Sequence, residues 1–254
     1  MSFLFHSRDR NAQPDAETIP TVFPSIEGAD IAAVFVGKRI AGDFYDSVRV
    51  SPERILFGLL DVAGRRDDNR TILAAAQEVF RSFGAELFSR EDINEADAMT
   101  ELSLRINRTV IDSAKRVLSC PAFIACYHEK FGTLCYTNAG HIPALLRDGS
   151  GISELASTGL PLGLFSHATA DARIVGIQDR SALLLVSRGV ISCEGHGKSS
   201  SDEFGMERVK TVMQETPSGG AKDLCDSVLQ SVATFSAHGP VCDDRTALAL
   251  IRTS

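Results

Sequence analysis

The sequence predicts an α+β fold in which helices cover antiparallel sheets. Strand-like segments come first, two long helical segments follow, strands then return, and one helix precedes the last strand. This order lacks the regular alternation of strand and helix that a doubly wound parallel sheet requires. The segments 42–50 and 54–62 flank the turn residues 51–53, which predicts a hairpin.

Periodic hydrophobic patterns support each element. In the helical segment 94–118, Met99, Leu102, Ile106 and Val110 recur at three- and four-residue steps and therefore fall on one face. The segment 69–87 is also predicted to be helical, and both helices should pack against a sheet. The remaining predicted elements are strands at 31–36, 122–127, 133–138, 144–146, 181–187 and 246–252 and a helix at 221–235.

The length and composition favour one domain. The chain has 254 residues, of which 44% are hydrophobic, enough for one sizeable core. Residues 1–26 are polar, rich in proline and without a sustained period, so we expect an N-terminal arm that is flexible. The single folded domain is predicted to span 27–254.

Charge and cysteine usage exclude several classes of protein. The formal net charge is -7 and no Lys/Arg-rich block is present, so neither nucleic acid nor an anionic membrane is an expected partner. No apolar run approaches the roughly 18 residues that cross a bilayer. Six scattered cysteines without a CxxC pair are typical of reduced thiols, and we expect a cytoplasmic protein.

The predicted hairpin brings two carboxylates together. If the chain turns at residues 52 and 53, facing residues have numbers that sum to about 105, so Asp43 lies across from Val62 and Asp61 across from Phe44. Like charges this close are destabilising unless a cation lies between them or one group is protonated. This end of the hairpin is therefore a candidate site for a divalent metal.

Further aspartates extend this acidic set. Asp46 lies in the same strand as Asp43, and Asp243 and Asp244 come immediately before the last strand. Mg²⁺ and Mn²⁺ prefer carboxylate, carbonyl and water ligands. An aspartate at a strand end is also a common turn former, so only the combination points to metal.

Six motifs in order resemble one family. Segments 41–46 (AGDFYD), 61–64 (DVAG) and 136–146 (YTNAGHIPALL) are similar to motifs of the sporulation-type, SpoIIE-like branch of the PPM (protein phosphatase 2C-like) phosphatases. Segments 159–163, 204–208 and 243–246 follow in the family's order. The resemblance covers about residues 30–252. It implies a four-layer α-β-β-α sandwich of two antiparallel sheets flanked by helices.

The resemblance also implies a chemistry. Members of this family hold a binuclear Mn²⁺ or Mg²⁺ centre whose bridging water attacks a serine or threonine phosphate directly. Carried over position by position, Asp61 bridges the metals, the backbone carbonyl of Val62 is a ligand, Asp244 holds one metal, and Asp43 acts nearby through water. Asp46 and Asp243 are further candidate ligands.

One inherited ligand position is changed. The family places an aspartate in a Thr-Asp-Gly motif after a buried strand, and here that position is Arg188. A guanidinium cannot coordinate a metal ion and repels one, so at least one metal site should be weakened or lost. We hypothesise that Arg188 pairs with Asp61 or Asp244 and replaces the charge of a metal. In an active enzyme, Asp46, Asp243 or Glu194 would have to serve as the substitute ligand.

Three other polar residues near the motifs have more ordinary explanations. Arg65 and Arg66 make the loop after the hairpin bulkier and more charged than in the family, and they are expected to be solvated unless they contact a phosphate or an acidic partner. His141 is expected to be a structural residue that is hydrogen-bonded in its turn.

Two functions are compatible with this sequence. The first is a serine/threonine protein phosphatase in bacterial sigma-factor or stress signalling, with reduced or altered metal dependence. The second is an inactive pseudophosphatase that binds a phosphoprotein or its kinase. By analogy with the family, the expected partner is a phosphorylated regulator of the anti-anti-sigma type.

Overall fold

Strands and helices contribute about equally to the described fold. The computed structural model describes residues 21–37, 42–62, 66–114, 118–167, 170–195, 203–216, 219–237 and 243–253. Within this part of the chain there are ten strands: β1 (Ala29–Val36), β2 (Gly42–Ser51), β3 (Arg54–Val62), β4 (Ala122–His128), β5 (Thr133–Ala139), β6 (Ala144–Asp148), β7 (Gly151–Leu155), β8 (Arg173–Gly176), β9 (Ala182–Val186) and β10 (Arg245–Arg252).

Six α-helices and one π-helical turn accompany the described strands. Val79–Phe83 forms the π-helical turn and joins α1 to α2 without a break. The α-helices are α1 (Arg66–Glu78), α2 (Gly84–Phe88), α3 (Glu95–Ser113), α4 (Arg188–Ile191), α5 (Gly205–Glu215) and α6 (Ala221–Phe235).

The strands form two five-stranded sheets. One has the order β2-β3-β4-β5-β8 and the other the order β1-β10-β9-β6-β7. Every named pairing between these strands is antiparallel. The predicted hairpin of β2 and β3 is at the edge of the first sheet, and β10, the last strand in sequence, lies between β1 and β9 in the second.

Apolar side chains fill three layers of core. The residues between the two sheets include Phe57, Leu59, Leu185 and Leu248, all fully buried. The helices α1 to α3 cover the outer face of the first sheet, and α5 and α6 cover the outer face of the second. Since strand residues alternate between faces, each sheet contributes side chains to two of these layers. The result is the four-layer α-β-β-α sandwich that was expected.

Helix boundaries agree with local chemistry. Asn94 caps α3, because its side-chain oxygen accepts hydrogen bonds from the backbone N–H groups of Ala96 and Asp97 at 3.1 and 3.3 Å. The prediction that this helix continues to Leu118 was too long. Ala114 is already extended, with φ -82° and ψ 136°, which ends α3 at Ser113.

The predicted N-terminal arm falls partly outside the described residues, which begin at Thr21. Thr21 Oγ1 donates hydrogen bonds to the Tyr45 carbonyl at 2.9 Å and to Asp46 at 3.1 Å. The ring of Phe23 stacks on Tyr45 with centroids 6.2 Å apart. The folded unit therefore includes residues 21–26 as well as the segment predicted from 27 onward.

Two observations bear on location. None of the described helices is long and apolar enough to cross a membrane. Five cysteines lie in the described part of the chain, and all five are buried free thiols.

Candidate functional site

The β2–β3 hairpin places two carboxylates face to face. Asp43 pairs directly with Asp61 in the register of the two strands. The predicted register holds beside the turn, where Ser51 pairs with Arg54, but a bulge between Arg49 and Ser51 then shifts the pairing by one residue. The expectation that Asp43 faces Val62 was therefore wrong by one position, and the two carboxylates are closer neighbours than predicted.

The second sheet contributes to the same end of the sandwich. Thr246, near the start of β10, donates a hydrogen bond from Oγ1 to Asp43 Oδ2 at 2.7 Å. Asp244 comes just before this strand and is only 1% exposed. A Cβ on Gly37 would lie 2.2 Å from Asp244 Oδ1, so a glycine is needed where β1 passes this carboxylate. Two sheets thus bring Asp43, Asp61 and Asp244 together, and we call these three residues the acidic cluster.

Burial and mutual repulsion make the acidic cluster hard to ionise. Burial raises the pKa of Asp43 from 3.8 to about 7, against the opposing effect of hydrogen bonds with Ser187 and Thr246. Burial also raises the pKa of Asp61, and the charges of Asp243 and Asp244 raise it further. A positive charge near this cluster would stabilise its ionised form.

Arg188 supplies such a charge. It is the first residue of α4 and directly follows Ser187, a buried residue just after β9. Its side chain is exposed. Its positive charge lowers the pKa of Asp61, in opposition to burial and to the two neighbouring aspartates. The structure therefore puts Arg188 beside the acidic cluster, where the family pattern has an aspartate.

Asp46 does not belong to this cluster. It lies three residues from Asp43 in β2, so its side chain is on the opposite face, beneath the helices. Arg81 binds both of its oxygens, at 2.7 and 2.8 Å, and Gln77 donates to it at 2.9 Å. The prediction of Asp46 as a metal ligand is therefore wrong. Its carboxylate joins β2 to α1 and to the π-helical turn.

Other predicted positions have structural partners. Asp243 accepts a hydrogen bond from the Asp244 backbone N–H at 2.9 Å, and its charge acts on Asp61. The Val62 carbonyl accepts a bond from Asn69 Nδ2 at 3.4 Å. The proposed substitute ligand Glu194 is exposed and forms a β-bridge with Glu203.

His141 is fixed within its turn, as predicted. Its backbone N–H donates to Asn138 Oδ1 at 2.8 Å, and its Nδ1 lies 2.9 Å from the Ile142 carbonyl. Burial lowers the pKa of His141 to about 4, so the ring is neutral near pH 7. Arg65 and the Arg66 side chain lie outside the described residues.

The sequence profile of one family, Stage II sporulation protein E (SpoIIE), matches residues 51–253 of this chain. The chain belongs to the SpoIIE family. Its fold is that of the PPM-type phosphatases, and the resemblance stated from the motifs is thereby confirmed.

Relatives of known name or structure agree with this family. The phosphoserine phosphatase RsbP of Bacillus subtilis is 23% identical over 155 residues, which are 61% of this chain and 37% of that protein. The structure of the RsbU and RsbW domains of Rv1364c from Mycobacterium tuberculosis has a TM-score of 0.68 at 22% identity, covering 91% of this chain and 62% of that one. The SiaA-PP2C domain of Pseudomonas aeruginosa has a TM-score of 0.67 at 17% identity, with 88% and 85% covered.

The two-metal centre of the SpoIIE family does not fit the residues present. Among the described residues, no group of three His, Cys, Asp or Glu side chains is arranged to hold a metal ion. Asp43 is already hydrogen-bonded to Thr246, and the Arg188 guanidinium stands where a ligand is needed. One cation near Asp61 and the Val62 carbonyl is the most that this donor set suits, because Mg²⁺ can be held by one or two carboxylates with water completing its shell.

Proposed function

We propose that this SpoIIE-family chain is a serine/threonine phosphoprotein phosphatase with reduced or altered metal dependence. The observation that carries the proposal is the meeting of Asp43, Asp61 and Asp244 at one end of the sandwich, on strands from both sheets. Isolated turn-forming aspartates would not be expected to raise one another's pKa in this way. The name of RsbP, a phosphoserine phosphatase, supports the same reaction class.

The roles of the chain's own residues follow from their positions. Asp61 is the residue most suited to hold a divalent cation, because it is less buried than Asp43 and lies beside the Val62 carbonyl. Asp43 is held in place by Thr246 and would orient a water molecule next to Asp61. A cation bound at this site would make that water more acidic and offset the charge on the phosphoryl oxygens.

The proposed substrate is a phosphorylated regulatory protein of the anti-anti-sigma type, in bacterial sigma-factor or stress signalling within the cytoplasm. This assignment is supported by the family and by the regulatory relatives, and it rests on analogy because a fold does not fix a substrate. The matched part of RsbP is well under half of that protein, so the substrate and the signalling role belong to the proposal.

A second candidate function is a pseudophosphatase that binds a phosphoprotein or its kinase without hydrolysis. Arg188 favours this function, because a permanent positive charge beside Asp61 opposes the binding of a second cation. The lack of a three-ligand group within the described residues favours it as well.

Hydrolysis of a phosphoserine peptide and of p-nitrophenyl phosphate, with Mn²⁺ and with EDTA, separates these functions. The variants are Asp61→Ala, Arg188→Asp and, as a control, Asp226→Ala in an exposed ion pair of α6. A phosphatase requires Mn²⁺-dependent turnover by the native chain that is lost in Asp61→Ala and kept in Asp226→Ala. Turnover that appears only in Arg188→Asp would identify a pseudophosphatase. Absence of turnover in all variants would refute the phosphatase proposal.

A further inference from the structure

The backbone around Arg188 is fixed on the strand that follows Asp244. The Ser187 backbone N–H donates to the Thr246 carbonyl at 2.9 Å, and the Thr246 N–H donates to Ser187 Oγ at 3.0 Å. On the other side, Gly189 lies so close that a Cβ there would be 2.0 Å from the Asp244 carbonyl oxygen. The backbone of Arg188 is therefore held in a fixed position next to the acidic cluster.

Its side chain is both exposed and electrostatically coupled to that cluster. Both neighbours of Arg188 contact the acidic segment, because Ser187 Oγ donates to the Asp244 carbonyl at 3.3 Å and Gly189 packs against that carbonyl and the Asp243 side chain. Because Arg188 is exposed, its side chain is accessible to a ligand in solvent. An arginine has five N–H donors in a planar fork, more than one carboxylate can accept.

A phosphate monoester needs a positively charged group in order to bind beside the acidic cluster. The acidic cluster alone would repel a phosphoryl dianion, and the donor set does not suit the metal pair that would otherwise attract it. Arg245, which directly follows Asp244, is buried and donates to Cys193 Sγ at 3.1 Å, so its guanidinium is directed elsewhere. Guanidinium groups bind phosphate through paired, charge-assisted hydrogen bonds.

We propose that Arg188 binds the phosphoryl group of a phosphoserine or phosphothreonine side chain, so that capture of the phosphoprotein does not require a divalent cation. The proposal rests on the proposed function insofar as the ligand is a phosphorylated protein side chain. The two proposals require different results. Here, binding of the phosphoprotein must depend on Arg188 and persist when metal is removed, whether or not hydrolysis occurs.

The test is the binding of a fluorescein-labelled phosphoserine peptide in EDTA, followed by fluorescence anisotropy up to millimolar protein. The native chain should bind this peptide at least tenfold more tightly than its unphosphorylated form, as expected for charge-assisted hydrogen bonds. Arg188→Ala should lose about tenfold or more in affinity. Arg188→Lys should lose less, because it keeps the charge but not the fork. Arg173→Ala, at an exposed arginine of β8, should bind as the native chain does.

Several results would overturn the proposal: no preference for the phosphorylated peptide, binding that appears only with Mn²⁺, or equal affinity of the native chain and Arg188→Ala. Cooperative thermal unfolding of Arg188→Ala well above the assay temperature shows that a loss of affinity is not a loss of fold. Failure here is distinguishable from failure of the phosphatase proposal. Mn²⁺-dependent hydrolysis that requires Asp61 could still be observed, and metal-free binding could be observed in a chain that hydrolyses nothing.

Discussion

Asp43 is a carboxyl group whose ionisation the fold opposes. Burial raises its pKa from 3.8 to about 7. In the unfolded chain the same group ionises near 3.8, so between about pH 4 and pH 7 the folded protein holds a proton that the unfolded chain has released. The contribution of Asp43 to the free energy of unfolding must therefore fall as the pH rises through this window. The difference between the two pKa values corresponds to about 4 kcal/mol, which is lost in full above pH 7.

The substitution Asp43→Asn removes this cost and keeps the shape of the side chain. At pH 8.5 we expect the variant to be more stable than the native chain by about 3 kcal/mol, which is the 4 kcal/mol of ionisation reduced by about 1 kcal/mol for a weaker hydrogen bond with Thr246. At pH 4.5 the native side chain carries its own proton, and the difference should be close to zero. Urea unfolding at both pH values in EDTA gives the two free energies.

The comparison between variant and native chain reports on Asp43 and on its coupling to Asp61 and Asp244, because titrating groups away from the acidic cluster change in the same way in both proteins. Asp148→Asn is the matched control. That aspartate is exposed, and hydrogen bonds with Ser150 lower the pKa of its carboxyl group, so its replacement should bring no gain at pH 8.5. A variant less stable than the native chain at pH 8.5, or a difference that is equal at the two pH values, would refute the reasoning.

Two further predictions concern buried polar groups. Asp46→Ala should lower the free energy of unfolding by roughly 2–4 kcal/mol at pH 7.5, because it removes a carboxylate that is 1% exposed and bound by Arg81. The control Asp226→Ala, in the exposed pair with Lys222, should lower it by less than about 1 kcal/mol. Similar losses of stability in the two variants would contradict the prediction. Burial lowers the pKa of His141 from 6.5 to about 4, so the native chain should lose about 3 kcal/mol as the pH falls through this range. Urea unfolding of His141→Gln at pH 7.5 and 4.5 should show that loss reduced, and an unchanged loss would exclude His141 as its source.

The β2–β3 hairpin shows which structural features local sequence patterns can predict and which they cannot. The turn at residues 51–53 and the flanking strands were predictable from alternation and turn chemistry. The bulge between Arg49 and Ser51 was not, because its neighbours carry no glycine or other distinctive signal. That single extra residue decides whether Asp43 faces Val62 or Asp61.

The alternation of side chains along a strand already separates Asp46 from Asp43 in the sequence. Residues three apart in a strand point to opposite faces, so Asp43 and Asp46 could not serve one site without a bulge between them. Helix α5 was also missed, although Val209 and Met213, both fully buried, are spaced by four residues as on one helix face.

Local sequence patterns could not predict the contacts between the two sheets. The hydrogen bond from Thr246 to Asp43 joins residues that are 203 positions apart. No turn, cap or period in the sequence relates such positions. Only the order of the family motifs placed the two strands at one site, and the exposed orientation of Arg188 needed coordinates.

The acidic cluster gathers three carboxylates at one end of the sandwich, and the raised pKa values of Asp43 and Asp61 indicate a functional site. Asp61 and Asp244 raise the pKa of Asp43, Asp243 and Asp244 raise the pKa of Asp61, and the positive charge of Arg188 acts against this effect at Asp61. If Arg188 acts as we propose, it lowers the need for a metal pair without removing the affinity of the site for a phosphoryl group. Loss of a metal ligand and retention of phosphoprotein recognition are therefore compatible in one protein, since the same guanidinium that excludes a cation attracts a phosphate.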